Sequence, residues 1–368
     1  MDASPPFQVL GEPTLIGQGV GHCWFPALHA LPSGHLLCLI PQVPDEGHGR
    51  WDSAVYLSDE NGQTWRQLGQ MPLGWASLPL TPDGLLILPF NLRAGDPDPR
   101  LIQGQGWQVR LGTDGALQME PQAIQIRDLP LDFHRRDDGR PVLVGSGDRA
   151  WRLPDGRWLT SLYGLPQDGD HYINLTISSR DGLDWCGQSP IAAPELLPDG
   201  CQGASETATA LLPDGRLLAL YRIQSGADFH LSHSADLGHT WSPPRPLAGV
   251  GSVKPQLLTL GDGTLILAGG RPGLGIWRSQ DGEHWCGLDL LQAHNERVDT
   301  AQRLPPPPPL DEDPEQRSLD PSTGYLSLVH LGGRELLVAY DRLANGWEGA
   351  PGPHGETDQV FGLRLRVT

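Results

Sequence analysis

A short turn that recurs six times limits what this chain can fold into. Each copy places Pro-Asp-Gly, or a close variant of it, between two apolar runs. Glycine supplies the positive φ that a tight hairpin turn needs, so each copy predicts an antiparallel β-hairpin. The six copies are LPSGHLL (31–37), TPDGLLI (81–87), LPDGRWL (153–159), LPDGRLL (212–218), LGDGTLI (260–266) and LGGRELL (331–337).

A second turn, with the pattern Ser…Asp…Gly…Trp, follows four of these hairpins. Its copies are SDENGQTW (58–65), SRDGLDW (179–185), SADLGHTW (234–241) and SQDGEHW (279–285). A hairpin followed by a second turn-bearing strand pair makes one four-stranded antiparallel unit. A repeat of roughly 40–60 residues is typical of propeller blades.

The two turns together predict an all-β, six-bladed β-propeller in one domain, residues 1–368, with a β-sandwich or a β-helix as the alternative. Residues 7–16 are expected to add a strand to the last blade. Five consecutive prolines and an acidic run predict that 293–321 is a Pro-rich acidic loop between blades five and six. The predicted blades are 22–70, 72–125, 145–192, 203–248, 252–292 and 322–368.

Composition narrows the partners and the compartment. The 47 Gly and 36 Pro favour turns and short strands, and the net charge of −18 argues against nucleic acid and membrane surfaces as partners. No signal peptide or membrane-spanning run is visible, and the five cysteines are scattered, so we expect a cytoplasmic protein, or a secreted one if a leader has been removed. No metal-binding, phosphate-binding or cofactor motif occurs, so no metal and no cofactor is expected. The oligomeric state is not indicated.

The turn at 234–241 matches Ser-x-Asp-x-Gly-x-Thr-Trp in full, and this is the Asp box of the sialidase (neuraminidase) superfamily. Nearly the whole chain resembles that superfamily through its repeats. The resemblance implies a six-bladed propeller whose Asp boxes are structural turns, so Asp236 and Asp281 are expected to have no catalytic role.

The resemblance also implies a retaining mechanism in which a Tyr attacks the anomeric carbon, since the sugar carboxylate would repel an anionic nucleophile. A neighbouring Glu acts as the base, three arginines hold the carboxylate, and an Asp on a mobile loop is the acid/base. Glu206 and Arg222, eight residues on either side of Asp214, match the Glu and the second Arg. Tyr325 matches the nucleophile, and Asp341 across the same hairpin matches the acidic residue that steadies an arginine.

Arg271, in GGRPGLG, matches the third arginine, with Arg278 as the alternative. These residues lie at the open ends of the inner hairpins. In a propeller those ends collect around one mouth of the central channel, so we expect the residues to share one pocket.

The first repeat departs from the pattern. Trp24 stands where the first arginine is expected, and an indole cannot replace a guanidinium that binds a carboxylate through two hydrogen bonds. Trp24 is therefore considered as a stacking platform for a sugar face. The acid/base is assigned to Asp45 or Glu46 on the 45–52 loop, and Asp52 matches a strand-start Asp that many members carry.

The function that follows is an exo-acting retaining glycosidase that acts on a terminal acidic sugar: sialic acid, another 2-keto acid sugar or a uronate. Two alternatives stay open. One is a carbohydrate-binding or scaffold propeller that has lost the reaction, and the other is a glycosidase or lyase that uses the pocket differently.

Overall fold

A computed structural model describes residues 5–44, 52–94, 101–130, 132, 144–166, 169–307, 323–347, 349 and 356–368. The strands up to residue 164 are β1 (Phe7–Val9), β2 (Thr14–Gly19), β3 (Ala27–Ala30), β4 (Leu36–Pro41), β5 (Asp52–Ser58), β6 (Arg66–Pro72), β7 (Ser77–Thr81), β8 (Gly84–Ile87), β9 (Asn91–Ala94), β10 (Ile102–Leu111), β11 (Leu117–Arg127), β12 (Val144–Ser146), β13 (Trp151–Arg152) and β14 (Trp158–Gly164). The later strands are β15 (Ile173–Ser179), β16 (Asp184–Pro190), β17 (Ser205–Leu211), β18 (Leu217–Arg222), β19 (Asp228–Ser234), β20 (Arg245–Gly251), β21 (Gln256–Thr259), β22 (Leu265–Gly269), β23 (Gly275–Ser279), β24 (Cys286–Asp289), β25 (Leu326–Gly332), β26 (Glu335–Arg342) and β27 (Asp358–Val367).

Helical structure is minor in the described part of the chain. It consists of α1 (Leu290–Asn295) and two 3₁₀ turns, Pro194–Leu196 and Thr300–Gln302. The segment predicted as a loop at 293–321 therefore begins inside α1, and its residues 308–321 lie outside the described residues. None of the described helices is long and apolar enough to cross a membrane.

Hydrogen bonds group the described strands into five sheets. Three are four-stranded and antiparallel, with strands in chain order: β3–β6, β17–β20 and β21–β24. These match the first, fourth and fifth predicted repeats. The second and third repeats share one ten-stranded sheet, because β9 pairs with both β10 and β12 and β11 pairs in parallel with β16. Six separate four-stranded sheets were expected; here the backbone groups at neighbouring sheet edges pair with each other instead of staying open.

The last sheet takes up the N-terminal strands. β25, β26 and β27 form the predicted hairpin and its neighbour, and both β1 and β2 pair with β27. Phe7 lies opposite Val367 and Thr14 opposite Gly362. The prediction that residues 7–16 add to this sheet is confirmed.

The hairpin turns form where the sequence predicts them, and in five of the six a glycine has the expected positive φ; in the second repeat Gly84 instead lies in β8, opposite Thr81. In the fourth repeat the Asp214 carboxylate accepts the backbone N–H of Arg216 at 3.0 Å, and Gly215 has φ 86°. A side chain with a Cβ rarely adopts that conformation, so glycine is needed there.

The Ser…Asp…Gly…Trp turns are held by their own side chains. In the third repeat Ser179 Oγ accepts the Gly182 N–H at 2.8 Å, and the Trp185 indole donates to the Gly182 carbonyl at 2.8 Å. Asp181 accepts the N–H groups of Leu183 and Asp184. The aspartate is used in closing the turn, and this geometry explains the spacing of the motif.

Burial falls from the inner to the outer strand of each sheet. In the fourth repeat Leu217–Tyr221 on β18 are fully buried, whereas β20 is mostly exposed. Neighbouring sheets pack face to face through leucine and isoleucine, for example Leu218 with Leu257 and Ile266 with Leu328. The inner hairpins are therefore held from both sides, and their open ends are rigid supports for side chains.

Candidate functional site

The hairpin β17–β18 brings Glu206 and Arg222 together. A bulge between Ser205 and Ala208 shifts the register so that Ser205, not Glu206, lies opposite Arg222. Glu206 has a left-handed backbone, with φ 35°, and its side chain reaches the arginine: Arg222 Nη1 lies 3.2 Å from Glu206 Oε2. The predicted pairing is therefore present, but a β-bulge is what makes it possible.

Tyr325 comes from the last sheet to meet this pair. Its hydroxyl donates a hydrogen bond to Glu206 Oε1, while Oε2 also accepts the backbone N–H of Lys254 at 2.9 Å. Glu206 is 4% exposed and Tyr325 is half-buried. Residues 119 positions apart in sequence thus share one hydrogen bond at the centre of the site.

The charges around the pair set its protonation. Burial alone would raise the pKa of Glu206, but Arg222, Arg271, the Tyr325 hydroxyl and Lys254 together lower this pKa to about 2. Burial and the negative Glu206 raise the pKa of Tyr325 well above its ordinary value. At neutral pH the site therefore holds an ionised Glu206 and a protonated Tyr325.

Arg222 is held by more than Glu206. Its Nη2 donates to Gln202 Oε1 at 3.0 Å and to Ser225 Oγ at 2.9 Å. These contacts orient the guanidinium at the mouth of the hairpin, where its side chain is 13% exposed.

Arg271 approaches the site from the fifth repeat. Its backbone N–H donates to Gly324 at 3.0 Å, and its guanidinium carbon lies 5.3 Å from the Tyr325 ring centroid and 4.4 Å from that of Trp347. Its Nη1 is buried and has no hydrogen-bond acceptor among the described residues. Arg278, the alternative, donates instead to the Thr368 carbonyl, away from these residues.

Asp341 differs from its expected role. It is fully buried, and its carboxylate accepts the backbone N–H groups of Gly324 at 2.6 Å, Phe25 at 2.9 Å and Tyr325 at 3.3 Å. Asp341 was predicted to steady an arginine and to bind substrate. The charge of Arg271 does act on its carboxylate, which also holds the backbone on which Tyr325 sits. Its complete burial leaves no surface for the predicted contact with substrate. Burial raises the pKa of Asp341 to about 6, although these N–H groups and Arg271 act against the rise.

Trp24 also differs from its predicted role as a stacking platform. Its ring is 1% exposed, packs against the rings of His22 and Phe25, and donates through Nε1 to the Val43 carbonyl at 3.0 Å. No face is left for a sugar, because a large aromatic ring gains more from burial in this cluster than from exposure at the mouth. The prediction for Trp24 is corrected.

The predicted acid/base residues, Asp45 and Glu46, lie outside the described residues. Asp52 is described: it begins β5, is half-buried and lies opposite Pro72. Its proposed contact with substrate stays a prediction.

One sequence signal locates residues that the motif comparison missed. The signal is a fixed offset from the hairpin turns. Counting back eight positions from the third residue of each seven-residue turn segment gives a residue at the open end of that hairpin. In chain order these residues are Phe25, Trp75, Gly147, Glu206, Lys254 and Tyr325. Five of the six are linked by direct contacts: Phe25 and Trp75 pack on Tyr325 (ring centroids 4.4 and 6.0 Å apart), and Lys254 Nζ lies 4.4 Å from the Trp75 ring centroid.

Counting forward eight positions from the same turn residue gives the other open end of each hairpin. In the third repeat this residue is Tyr163, the equivalent of Arg222 in the fourth repeat. Tyr163 is buried. Its burial raises its pKa, and the charges of Glu206 and Tyr325 raise this pKa further. The offset from the turns thus predicts Phe25, Trp75, Lys254 and Tyr163 as neighbours of the site. Within the described ranges, no cluster of three or more His, Cys, Asp or Glu is placed to hold a metal ion.

The antiparallel sheets, with Glu206, Arg222, Arg271 and Tyr325 at their open ends, have the architecture of a sialidase-like propeller. The model of the BNR repeat-like domain matches residues 143–330, just over half of the chain. The chain belongs to this family. No curated protein matches the chain in sequence.

Solved structures share the fold at low identity. A protein of unknown function from Dyadobacter fermentans is 16% identical, with a TM-score of 0.67, and 99% of this chain and 100% of that one are covered. The α-L-arabinanase of Penicillium chrysogenum, solved with arabinobiose, is 15% identical, with a TM-score of 0.58 and 99% of each chain covered. The Hadza microbial sialidase Hz136 is 17% identical, with a TM-score of 0.53; 92% of this chain is covered but only 65% of the sialidase.

Proposed function

We propose that this protein is an exo-acting retaining glycoside hydrolase that removes a terminal acidic sugar. The observation that carries the proposal is the hydrogen bond from the Tyr325 hydroxyl to the buried carboxylate of Glu206. A nucleophile within hydrogen-bonding reach of a base, with the base oriented by further groups, is the arrangement of covalent catalysis. Here Arg222 and the Lys254 N–H orient the base.

The acidic group of the sugar is assigned to Arg222 and Arg271. Each has a buried guanidinium nitrogen, Nε of Arg222 and Nη1 of Arg271, that finds no hydrogen-bond acceptor among the described residues. Both guanidinium groups act on the charge of Glu206 next to Tyr325, and a guanidinium forms charge-assisted hydrogen bonds with a carboxylate. The two arginines therefore favour an anionic ligand over a neutral one.

Ligand binding also makes Glu206 a better base. In the free protein the cations hold its pKa at about 2, which suits an ionised carboxylate but not proton uptake. A carboxylate on Arg222 and Arg271 neutralises part of that charge, so the pKa of Glu206 rises towards its ordinary value. The base is thus strengthened when the substrate is in place.

In the first step the Tyr325 oxygen bonds to the anomeric carbon while its proton passes to Glu206. The bond from the anomeric carbon to the leaving oxygen breaks, and a carboxylic acid on the 45–52 loop, Asp45 or Glu46, protonates that oxygen. Water then cleaves the tyrosyl–sugar bond with the same carboxylate as base, and the proton returns from Glu206 to Tyr325.

The structural neighbours support cleavage of a glycosidic bond and leave the sugar open. Their names include sialidases, an α-L-arabinanase and an α-L-arabinofuranosidase. Since Trp24 and Phe25 fill the region where a first arginine is expected, the sugar need not be sialic acid. Another 2-keto acid sugar and a uronate are equally compatible with two arginines.

The same proposal treats residues 1–368 as one six-bladed domain. The merged ten-stranded sheet then counts as two blades, β7, β8, β10 and β11 followed by β12 and β14–β16. Each of the two contains one of the six predicted hairpin turns.

The test is a screen of aryl glycosides, including aryl sialosides and glucuronides, with the wild type and Tyr325→Phe. We expect hydrolysis of at least one acidic glycoside and a loss of at least about 10³-fold in kcat in the variant, because the nucleophile is gone. Tyr340→Phe is the matched control: Tyr340 lies in the same hairpin, is buried and contacts His294 instead. Full activity of Tyr325→Phe would remove the nucleophile assignment.

A non-catalytic carbohydrate-binding propeller is the second candidate. The buried Trp24 favours it, because a tryptophan stands where the first arginine is expected and, in the described part of the first repeat, its ring is buried away from the site. In that case acidic sugars would bind, Arg271→Met would weaken the binding, and no glycoside would be hydrolysed. A lyase that uses the same pocket would instead release an unsaturated sugar, which absorbs in the ultraviolet.

A further inference from the structure

Lys254 is a lysine in an unusual place. It lies just before β21, is 2% exposed and has a left-handed backbone, with φ 49°. Burying an ammonium group and holding a side chain with a Cβ in this conformation both cost free energy. Among the described residues its Nζ has no hydrogen-bonded carboxylate, and its close contact is the face of Trp75, at 4.4 Å from the ring centroid.

Two carboxylates compensate this charge. Burial lowers the pKa of Lys254, while Asp148 and Glu206 raise it. Asp148 is 3% exposed; its Oδ2 accepts the Leu257 N–H at 2.9 Å and lies 3.5 Å from Arg149 Nε. Glu206 faces Arg222, Arg271, Tyr325 and Tyr163 as well as Lys254. The Lys254 ammonium group therefore interacts with the charges of two buried acids, the candidate base Glu206 and Asp148.

The repeat explains how a lysine reaches this position. Lys254 is the fifth-repeat equivalent of Glu206, eight residues before its turn, and Trp75 is the second-repeat equivalent. Equivalent positions converge at the centre, so a residue with no sequence motif of its own contacts the base directly through its backbone N–H.

We propose that Lys254 is a positioning residue of the candidate site: its backbone N–H holds Glu206 Oε2 so that Oε1 faces the Tyr325 hydroxyl, and its buried ammonium group keeps the carboxylate ionised. The inference rests on the proposed function for the role of Glu206 as base. As a consequence, the three cations near Glu206 have different roles. On binding a ligand, Arg222 and Arg271 would share their charge between Glu206 and the acidic group of the ligand, while Lys254 stays with Glu206 whether or not a ligand is bound.

The experiment follows the protonation of Glu206 without any substrate. Protein labelled with ¹³C at glutamate carboxyls is titrated by NMR, and the Glu206 resonance is assigned with Glu206→Gln. In Lys254→Met we expect the pKa of Glu206 to rise by about one pH unit, because one of its nearby cations is removed. Lys254→Arg, which keeps the charge, is expected to bring the pKa back towards the wild-type value.

Arg149→Met is the matched control. It removes a cation that contacts Asp148 but is not among the charges that set the pKa of Glu206, so that pKa should stay unchanged. If Lys254→Met unfolds, the double variant with Asp148→Asn, which removes the uncompensated acid, is read in the same way. A Glu206 pKa that does not move in a folded variant without Lys254 overturns the proposal.

Kinetics separate this inference from the proposed function. If an acidic glycoside is hydrolysed, Lys254→Met should move the acidic limb of the pH profile of kcat upward, and Lys254→Arg should leave that limb near its wild-type position. If nothing is hydrolysed but the Glu206 pKa still shifts, the proposed function fails and the positioning role stands. If activity depends on Tyr325 while the Glu206 pKa is unmoved, the proposed function survives and the role of Lys254 is rejected.

Discussion

The hairpins of the first and fourth repeats have similar backbones and opposite chemistry. Phe25 and Glu206 occupy equivalent positions, and both have left-handed backbones, with φ 51° and 35°. Eight residues beyond each turn the first repeat has Pro41 and the fourth has Arg222. The fourth hairpin thus supplies a charged pair, whereas the first supplies an aromatic wall.

The comparison shows that the repeat determines where a side chain is placed and not what it does. Phe25 packs on Trp24 and Tyr325, with ring centroids 4.2 and 4.4 Å apart, and so supports Tyr325 with apolar contact. Glu206 supports the same tyrosine from the other side with a hydrogen bond. Under the proposed function, an anionic ligand is held from the fourth and fifth repeats, where Arg222 and Arg271 lie.

The largest expected effect comes from removing the aromatic ring of Phe25, which the first repeat supplies where the fourth supplies Glu206. Phe25→Ala should lower the free energy of unfolding by about 3–5 kcal/mol, because a buried ring between two aromatic neighbours leaves a cavity. It should also lower kcat for the folded protein, since Tyr325 loses its packing. Denaturant unfolding and kinetics at saturating substrate measure the two effects.

Phe229→Ala serves as the control for Phe25→Ala. Phe229 is fully buried in the core between the fourth and fifth sheets, so its loss should destabilise the fold by a similar amount without lowering kcat. Equal kcat values in the two folded variants would show that the first repeat contributes stability alone.

The charged side of the comparison is tested at Arg271. Arg271→Met should weaken binding of an acidic sugar by about 10- to 100-fold, equivalent to roughly 1.5–3 kcal/mol, because a hydrogen bond between charged groups is lost. Titration calorimetry measures it. Arg278→Met, in the same repeat but bonded to Thr368, should bind normally. An unchanged affinity in Arg271→Met would place the acidic group elsewhere.

The smallest expected effect concerns Asp358, a buried carboxylate that lies outside the group of cations found around Glu206. Burial raises the pKa of Asp358 to about 7, and neighbouring Asp341 adds to the rise, whereas the cations around Glu206 hold its pKa at about 2. For Asp358 the folded protein binds the proton more tightly than the unfolded chain does. Its contribution to stability is complete below the unfolded pKa, near 3.8, and is lost as the pH rises through about 7.

Between pH 5 and pH 8 the free energy of unfolding of the wild type should fall because Asp358 loses its proton. In Asp358→Asn this fall should be smaller by about 2 kcal/mol. The substitution suits the site, because an asparagine is close in shape to the neutral carboxylic acid and its side-chain oxygen can keep the hydrogen bond that Oδ1 accepts from the Asn345 N–H. Urea unfolding at the two pH values measures the change. Identical pH dependence in both proteins would contradict the raised pKa of Asp358.

Local patterns predicted much of this arrangement. Hairpin turns and apolar runs are short-range signals, so the turns at Asp214 and Gly333 placed Glu206 near Arg222 and Tyr325 near Asp341 at the open ends of their hairpins. The same offset would have identified Lys254 and Trp75, but neither belongs to a motif, so comparison with a family pattern passed over both. The merging of the second and third sheets through β9 had no sequence signal, because pairing at sheet edges depends on where the edges meet.

The sequence by itself determined the repeat, its turns and the strand positions at which functional side chains stand, because these depend on contacts between residues close in the chain. Only the tertiary structure decided which of those side chains meet. It buried Trp24 and Asp341, which had been assigned to the ligand, and it brought Lys254 against Glu206. Contacts across repeats depend on the packing of whole sheets, and so do burial and the pKa values that follow from it.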